Sequence, residues 1–526
     1  SRVYKRRQAR LQRVAVVWNN KLLPQRDTPM ATYPEPSLLH FRAARRSFDE
    51  LVESLKDTDA LSMTHDEVER HIELEGREVL RQLFQGHLDL RAMCEERSSV
   101  VGADAKVRTH KRPTSRALST VFGRCVVRRL ALTSRNVSGG LRPMDAELNL
   151  PSSLYSSGVE ERAAVLAANL PFDEVTKQLN STTGAGAAKR QVEEMVGRWA
   201  TDFEAFYESR PSNTAASMDL LVMSFDGKGI VMRPEALRPK TREALAKAKP
   251  KVGRRRSAGE KPRKRMAEVA TVYDLPLQVR NKEQVLGDSP TPRASPANKR
   301  VWASVAKGAR SVIRQGFAEA QRRDPHQERR WVVLLDGAYA QRFITESIAK
   351  EMGVDITIVV DFIHVVEYVW LAARALFGAG NPDAEPWVEA QLHRLLEGRS
   401  HHVVQSLRQT ATRRKLKGQK KRAFERAANY IQKQRAYLKY GRYLQDGLPI
   451  ATGVIEGACR HLIKDRMDRT GARWGLAGAE AVLRMRALQS SGDLIEYRAF
   501  HMRRELQRNH LKQYDETEFI ELRQAA

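Results

Sequence analysis

Met218-Asp-Leu-Leu-Val-Met-Ser-Phe-Asp226 is an apolar run closed by a carboxylate, and Trp331-Val-Val-Leu-Leu-Asp336 repeats the arrangement. The second run is unbroken, as expected of a strand buried on both faces. Gly227-Lys-Gly229 reads as a tight turn after the first strand, Ile230-Val-Met-Arg233 as a returning strand, and Glu268-Val-Ala-Thr-Val-Tyr273 as a third. Asn298 to Arg323 places Val301, Val305, Ala309, Val312, Ile313 and Phe317 on one side, which predicts a helix. Phe343 to Met352 reads as a helix capped by Gly353, and Asp355-Ile-Thr-Ile-Val-Val360 as a fifth strand.

Three hairpin-linked strands, then helix, strand, helix and strand, is the order of a ribonuclease H-like fold: α/β, with a mixed five-stranded sheet. In that order the first and fourth strands are neighbours, so Asp226 and Asp336 meet at one rim. Glu456 lies in Gly453-Val-Ile-Glu-Gly-Ala-Cys-Arg-His-Leu-Ile-Lys464, which reads as a later helix. Two aspartates at strand ends and a glutamate on a helix can hold a pair of divalent ions, and around a phosphodiester such a pair performs in-line displacement. Hard oxygen ligands select Mg2+ or Mn2+. Asp361, in Asp361-Phe-Ile-His364, ends the fifth strand, one position further from Asp226 than Asp336 is. Asp336 is therefore the expected metal ligand, beside Asp226 and Glu456. Asp361 and His364 either support the site, placing a phosphate or orienting a base, or form a structural pair at a strand-to-helix junction. No Ser or Tyr motif calls for a covalent nucleophile.

The chain's 526 residues imply several domains, and 91 Lys and Arg against 63 Asp and Glu give a net charge of +28. Such an excess points to a polyanionic partner, because neutralising phosphates releases counterions. Residues 233–265 carry fourteen Lys or Arg against three Glu, among them Arg254, Arg255 and Arg256, with Pro234, Pro239, Pro250 and Pro262 interspersed. That composition predicts a flexible basic loop rather than a helix. Lys228 and Arg473 are further candidates for DNA contact. Arg460 and Lys464 follow Glu456 at i+4 and i+8 on one helix face, suited to phosphate, with ion pairs to nearby acids as the alternative. Trp474, in Thr470-Gly-Ala-Arg-Trp474, is expected in the core rather than as a base-stacking platform. Cys94, Cys125 and Cys459 are too scattered for a zinc site or a disulfide framework and suit a reducing cytosol. Charged residues interrupt Ile356–Gly380, so no membrane span is expected. No apolar core of signal-peptide type follows Ser1-Arg-Val-Tyr-Lys-Arg-Arg7.

Composition divides the chain into a basic, mainly helical N-terminal region (1–115), a small β plus helical domain (116–215), a catalytic core (216–374 and 446–490), a basic helical insertion (375–445) and a charged C-terminal tail (491–526). In the first region Asp66–Arg97 is the clearest helix, with Val68, Ile72, Val79, Leu83, Leu90 and Met93 in a stripe that favours packing over dimerisation. Thr120–Arg129 reads as a strand pair around a Gly. Phe172–Leu179 and Ala187–Val196 flank a Thr-Thr-Gly184 break in helix-turn-helix outline, and plain packing is the favoured reading of it. The insertion, notably Arg413–Arg422, suits DNA contact more than a solvated face.

Several phrases in this order resemble the DDE transposases of the Kra group of bacterial insertion sequences (the ISKra family). They are Ser224-Phe-Asp-Gly-Lys-Gly229, Leu335-Asp-Gly-Ala338, Asp361-Phe-Ile-His364, Gly453-Val-Ile-Glu-Gly457, Lys464-Asp-Arg-Met467 and Thr470-Gly-Ala-Arg-Trp474. Gln85-Gly-His-Leu-Asp-Leu-Arg91 and Leu148-Asn-Leu-Pro151 extend the likeness to about residues 65–490. The resemblance implies a triad of Asp226, Asp336 and Glu456, and an Asp–His signature shared with Mutator-like transposases at Asp361 and His364. It implies an enzyme of the bacterial cytoplasm and nucleoid that nicks element ends, frees a 3′-hydroxyl and joins it to target DNA. The partners implied are double-stranded DNA, as terminal repeats and target, and further copies of the chain. A ribonuclease H-like, structure-selective nuclease of the junction-resolving type and a non-catalytic DNA-binding derivative are the alternatives.

Overall fold

The computed structural model describes residues 39–135, 137–211, 219–247, 264–287, 294–469 and 471–525. The chain forms two compact units, Ser1–Cys94 and Glu95–Ala526. In the first, helices α1 (Arg42–Lys56) and α2 (His65–Met93) pack as a hairpin. A capping box starts α2: Thr64 accepts from the Glu67 amide, and Glu67 accepts from the Thr64 amide. The helices close tightly at Gly86, where a Cβ would lie 2.4 Å from the His40 carbonyl oxygen. The helix expected over Asp66–Arg97 stops at Met93, and of its stripe Leu90 is buried while Ile72, Leu83 and Met93 stay exposed.

In the second unit, after a short strand pair of Val100–Val101 and Val107–Arg108, comes an antiparallel hairpin, β1 (His110–Thr120) and β2 (Gly123–Thr133), the strand pair expected around Gly123 but longer. Three helices follow, α3 (Ser157–Ala167), α4 (Phe172–Thr182) and α5 (Lys189–Trp199), each packing on the other two. The helical hairpin legible at 172–196 is thus part of a three-helix group whose Val175, Leu179, Val192 and Val196 are fully buried.

The central sheet has five strands, β3 (Leu220–Val231), β4 (Lys264–Leu275), β5 (Ala297–Ser304), β6 (Trp331–Leu335) and β7 (Ile356–Val360), in the order β5-β4-β3-β6-β7. β3 pairs antiparallel with β4 and parallel with β6, and β6 pairs parallel with β7. Helices α6 (Ala309–Arg323) and α7 (Tyr339–Met352) link β5 to β6 and β6 to β7. Leu221, Met223, Phe225, Val333 and Leu335 join one core cluster and Leu220, Val222, Val332, Leu334 and Val359 another. Both faces of the sheet are therefore covered, which is why its strands read as continuous apolar runs. The second cluster is completed by α8 (Phe362–Phe377) and by α9 (Ala384–Leu396), α10 (Ser400–Arg413) and α11 (Gly418–Gln434) of the insertion.

Several expectations are corrected. Gly227-Lys-Gly229 is not a turn: β3 runs straight through it, and neither glycine has positive φ. The glycines answer to crowding instead, since a Cβ on Gly227 would meet Met266 Cε, and one on Gly229 Lys264 Cδ, each at 3.0 Å. The third strand of the sheet is Ala297–Ser304, which the i, i+4 spacing of Val301 and Val305 had suggested as helix. Val301 and Trp302 suit a strand, and the helix starts only after Gly308. Within the basic stretch Pro239–Lys247 is helical, while Arg254, Arg255 and Arg256 lie outside the described residues. Residues 491–526, read as a charged tail, are largely helical. Helices α13 (Leu476–Ser491), α14 (Leu494–Asn509) and α15 (Glu516–Ala525) pack into the unit, with Tyr497, Leu511 and Leu522 buried.

Among the described residues no helix is long and apolar enough to cross a membrane.

Candidate active site

β3, β6 and β7 are parallel; β6 and β7 end together at one edge of the sheet, where open α/β sheets hold their ligands, while β3 runs on to Val231, so that Asp226, expected at a strand end, lies inside its strand. Ser224 pairs with Leu334; two residues further on, the same register puts Asp226 level with Asp336. Leu335 pairs with Val360, so the next position puts Asp336 level with Asp361. Three aspartates thus stand in a row across adjacent strands. A short helix, α12 (Gly453–Ala458), carries Glu456 and packs against β3 and β4. Ligand atoms of Asp361, His364 and Glu456 lie within 4.8 Å of one another. Asp226 and Asp336 flank that cluster without belonging to it.

The four acids differ in what already holds them. Asp361 is fully buried and saturated. Its Oδ1 accepts from the amides of Ile363 (3.1 Å) and Thr452 (3.3 Å), and its Oδ2 from Thr452 Oγ1 (2.6 Å) and His364 Nδ1 (3.1 Å). Burial alone would raise its carboxyl, but the bonds from His364, Thr452 and Ile363 outweigh that and lower it. Reciprocally, the bond to Asp361 raises His364 to about 9, against burial and with help from the charges of Asp361, Asp336 and Glu367. Asp361 therefore clamps the end of β7 and the first turn of α8 to the residues before Glu456.

The other three are open. Asp336 accepts only at Oδ1, from the Ala338 amide at 2.8 Å, and Glu456 has only a 3.4 Å contact from Thr452 Oγ1, among the described residues. Asp226 accepts from the Gly227 amide (2.7 Å) and from Cys459 Sγ (3.1 Å). Among the described residues none of these three has a Lys or Arg at ion-pair distance, in a chain with a large cationic surplus. Unneutralised carboxylate oxygens gathered at one edge are the donor chemistry that hard divalent cations require, and the residues present fit such an ion. Asp336 thus keeps free lone pairs that Asp361 lacks, whereas the ligand atoms that come within 4.8 Å of one another are those of Asp361, His364 and Glu456.

The insertion reaches this edge. Tyr430 of α11 donates to the Asp336 carbonyl (2.6 Å), and Gln434 Nε2 to the Gly337 carbonyl (2.6 Å). Gly337 has φ +89° and a Cβ there would lie 2.6 Å from Tyr430 Oη, so the turn after Asp336 requires glycine on both counts. Tyr430 also stacks on Tyr368, with centroids 3.9 Å apart. Glu268, paired with Gly227 across β3 and β4, adds a carboxyl that burial, then the charge of Asp226, pushes upward against the pull of Arg238.

The cationic candidates are exposed but dispersed. Lys228 lies on β3 two residues past Asp226, and Arg473 in the turn before α13. Arg460 and Lys464 fall in a π-helical segment, Cys459–Lys464, so the 3.6-residue period that aligned Lys464 with Glu456 does not hold through it. Arg460 turns to Asp465 at 3.9 Å, the ion-pair alternative. Trp474 is buried, its Nε1 donating to the Met467 carbonyl and Arg466 lying 4.7 Å over its ring.

Thr452, Cys459, Tyr430 and Gln434 were not singled out from sequence. Thr452 and Cys459 could have been, at i−4 and i+3 from Glu456; nothing local marks Tyr430 or Gln434. A second acidic group, Asp202, His501 and Glu505, is knitted by Arg508 into a buried network joining α14 to the end of α5, and serves structure.

No protein-family model and no curated protein matches the chain.

Proposed function

We propose that the chain is a DNA transposase with a ribonuclease H-like core, cutting element ends and joining them to target DNA in the bacterial cytoplasm, as a homo-oligomer on double-stranded DNA. The observation that carries the reading is the level row of Asp226, within β3, and Asp336 and Asp361, just past the ends of β6 and β7, with Glu456 on the short helix packed against β3 and β4. The strand order β5-β4-β3-β6-β7 is that expected of such a core.

Asp226, Asp336 and Glu456 are the residues to hold Mg2+ or Mn2+, two ions by the usual pattern, which supply charge neutralisation at a phosphate undergoing displacement. The remaining groups act on the substrate and on one another. Asp361 and Thr452 fix the Glu456 helix to the sheet edge. His364, whose bond to Asp361 favours its charged form, offers that charge to a non-bridging phosphate oxygen beside Asp336 and holds a proton for the departing oxygen. Tyr430 and Gln434 lock the Asp336-Gly337 turn.

The test is nicking and strand joining on a labelled element-end duplex with Mg2+ or Mn2+, comparing wild type with Asp226→Ala, Asp336→Ala and Glu456→Ala. Each substitution is expected to abolish cutting with DNA binding retained. Cutting without joining reassigns the chain to the structure-selective nucleases, and binding without cutting to non-catalytic DNA-binding proteins. Cutting that survives Asp336→Ala but not Asp361→Ala overturns the choice of second ligand.

A further inference from the structure

Three residues beyond Asp336, the first turns of α7 present a pair of aromatic rings to solvent. Tyr339 is 69% exposed and Phe343 57%. At i and i+4 they share a helix face, and their rings are near-parallel, 20° apart with centroids separated by 6.1 Å. Arg342 lies beside them, its guanidinium 5.6 Å from the Tyr339 ring and 4.8 Å from Tyr437, and it is anchored by a 2.6 Å bond to Gln434. Large rings left in water cost free energy that burial would recover, so an exposed pair beside a candidate active site calls for an occupant.

We propose that Tyr339 and Phe343 form a stacking platform for an unpaired base of the DNA strand held at the acidic edge. This deepens the DNA-cutting reading and rests on it. Before its ions are bound, an edge built of carboxylates repels the phosphates it must approach, so a grip on the strand that needs no charge is useful there. Flat rings supply one, since every base has a π-face and stacking on aromatics is tolerant of sequence. Arg342 adds a cation of the kind that accompanies such platforms. The occupant is an unpaired base because the faces of paired bases are covered by their neighbours in the duplex.

The experiment measures binding by fluorescence anisotropy with EDTA present, so that nothing is cut. It uses a plain duplex and the same duplex with several bases of one strand unpaired, one of them 2-aminopurine. In Tyr339→Ala/Phe343→Ala, affinity for the unpaired substrate is expected to fall on the order of tenfold, with duplex affinity within about twofold and quenching of 2-aminopurine lost. Tyr339→Phe keeps a ring and should bind as wild type. Phe343→Leu keeps apolar bulk without the ring and should share the loss. Equal weakening on both substrates, no weakening on either, or full binding by Phe343→Leu overturns the platform. Metal-dependent nicking is scored separately on the same substrates. A chain that grips unpaired DNA through these rings but never cuts overturns the transposase reading alone, whereas one that cuts without ring-dependent discrimination overturns the platform alone.

Discussion

At the scale of single residues, the hydrogen-bond ledger separates two aspartates that look alike in sequence. Asp336 and Asp361 both close apolar strands, yet Asp361 has every lone pair occupied and Asp336 does not. The consequence is measurable as a pH dependence. His364 has its folded value raised to about 9, so its pairing with Asp361 stabilises the fold fully below the ordinary histidine value and is lost as pH rises through about 9. Asp361, held low, keeps its side of the pair above the ordinary aspartate range and loses it as pH falls. Because the imidazole is partly in water, the alkaline loss should be only about 1 kcal/mol. Urea denaturation at pH 7 and pH 10 should resolve it in wild type and find it absent in His364→Gln. A deeper loss is expected from Glu319→Gln. Burial would raise that carboxyl, but Arg300, Arg322 and Arg323 hold it at about 2. Removing its charge leaves Arg300 buried without its partner, at a cost of about 3–5 kcal/mol in the same denaturation assay.

Among elements, close contacts decide what the sheet tolerates. α6 crosses β3 so closely that a Cβ on Gly316 would lie 2.6 Å from Phe225 Cε1. Gly316→Ala should therefore destabilise by about 1–3 kcal/mol, although alanine favours helices, and thermal unfolding would register it. Tyr430→Phe tests how the insertion couples to the edge. Losing the bond to the Asp336 carbonyl should cost about 1 kcal/mol of stability, and slow nicking on the order of tenfold by loosening the turn. The same scale shows what sequence could reveal. The runs 331–335 and 356–360 were legible because burial on both faces leaves them nothing but apolar residues. Ala297–Ser304 was not, because a short apolar run fits a helix or a strand equally well until its neighbour is known. Gly227 and Gly229 misled for a related reason, since a glycine that admits a neighbour's side chain looks the same as one that turns. At the site, the placement of Asp336 and Asp361 just past strand ends and of Glu456 on a later helix could be read from the sequence, whereas Asp226 lies inside its strand rather than at its end. Tyr430 and Gln434 could not be read, since their link to Asp336 exists only through the packing of α11.

For the whole molecule, the charge of +28 and the acidic edge pull in opposite directions. Cations spread over Lys228, Arg473 and the helical insertion should capture DNA wherever it touches, and the edge should act only where a phosphate is held among the carboxylates. Binding to an arbitrary duplex should then fall steeply with salt, by about 10³-fold or more between 50 and 200 mM if six or more phosphates are neutralised. A shallow dependence in a salt titration would show that the surplus charge does not face DNA.

The register that lines up Asp226, Asp336 and Asp361 leaves Glu456 to arrive from 95 residues beyond Asp361 along the chain. At the usual pace of translation that interval is roughly 5–19 s. A chain still on the ribosome therefore displays cations and an unfinished sheet edge, which on the proposed reading should hold nucleic acid without cutting it. Synthesis itself keeps the blade sheathed until the helix that bears Glu456 has emerged.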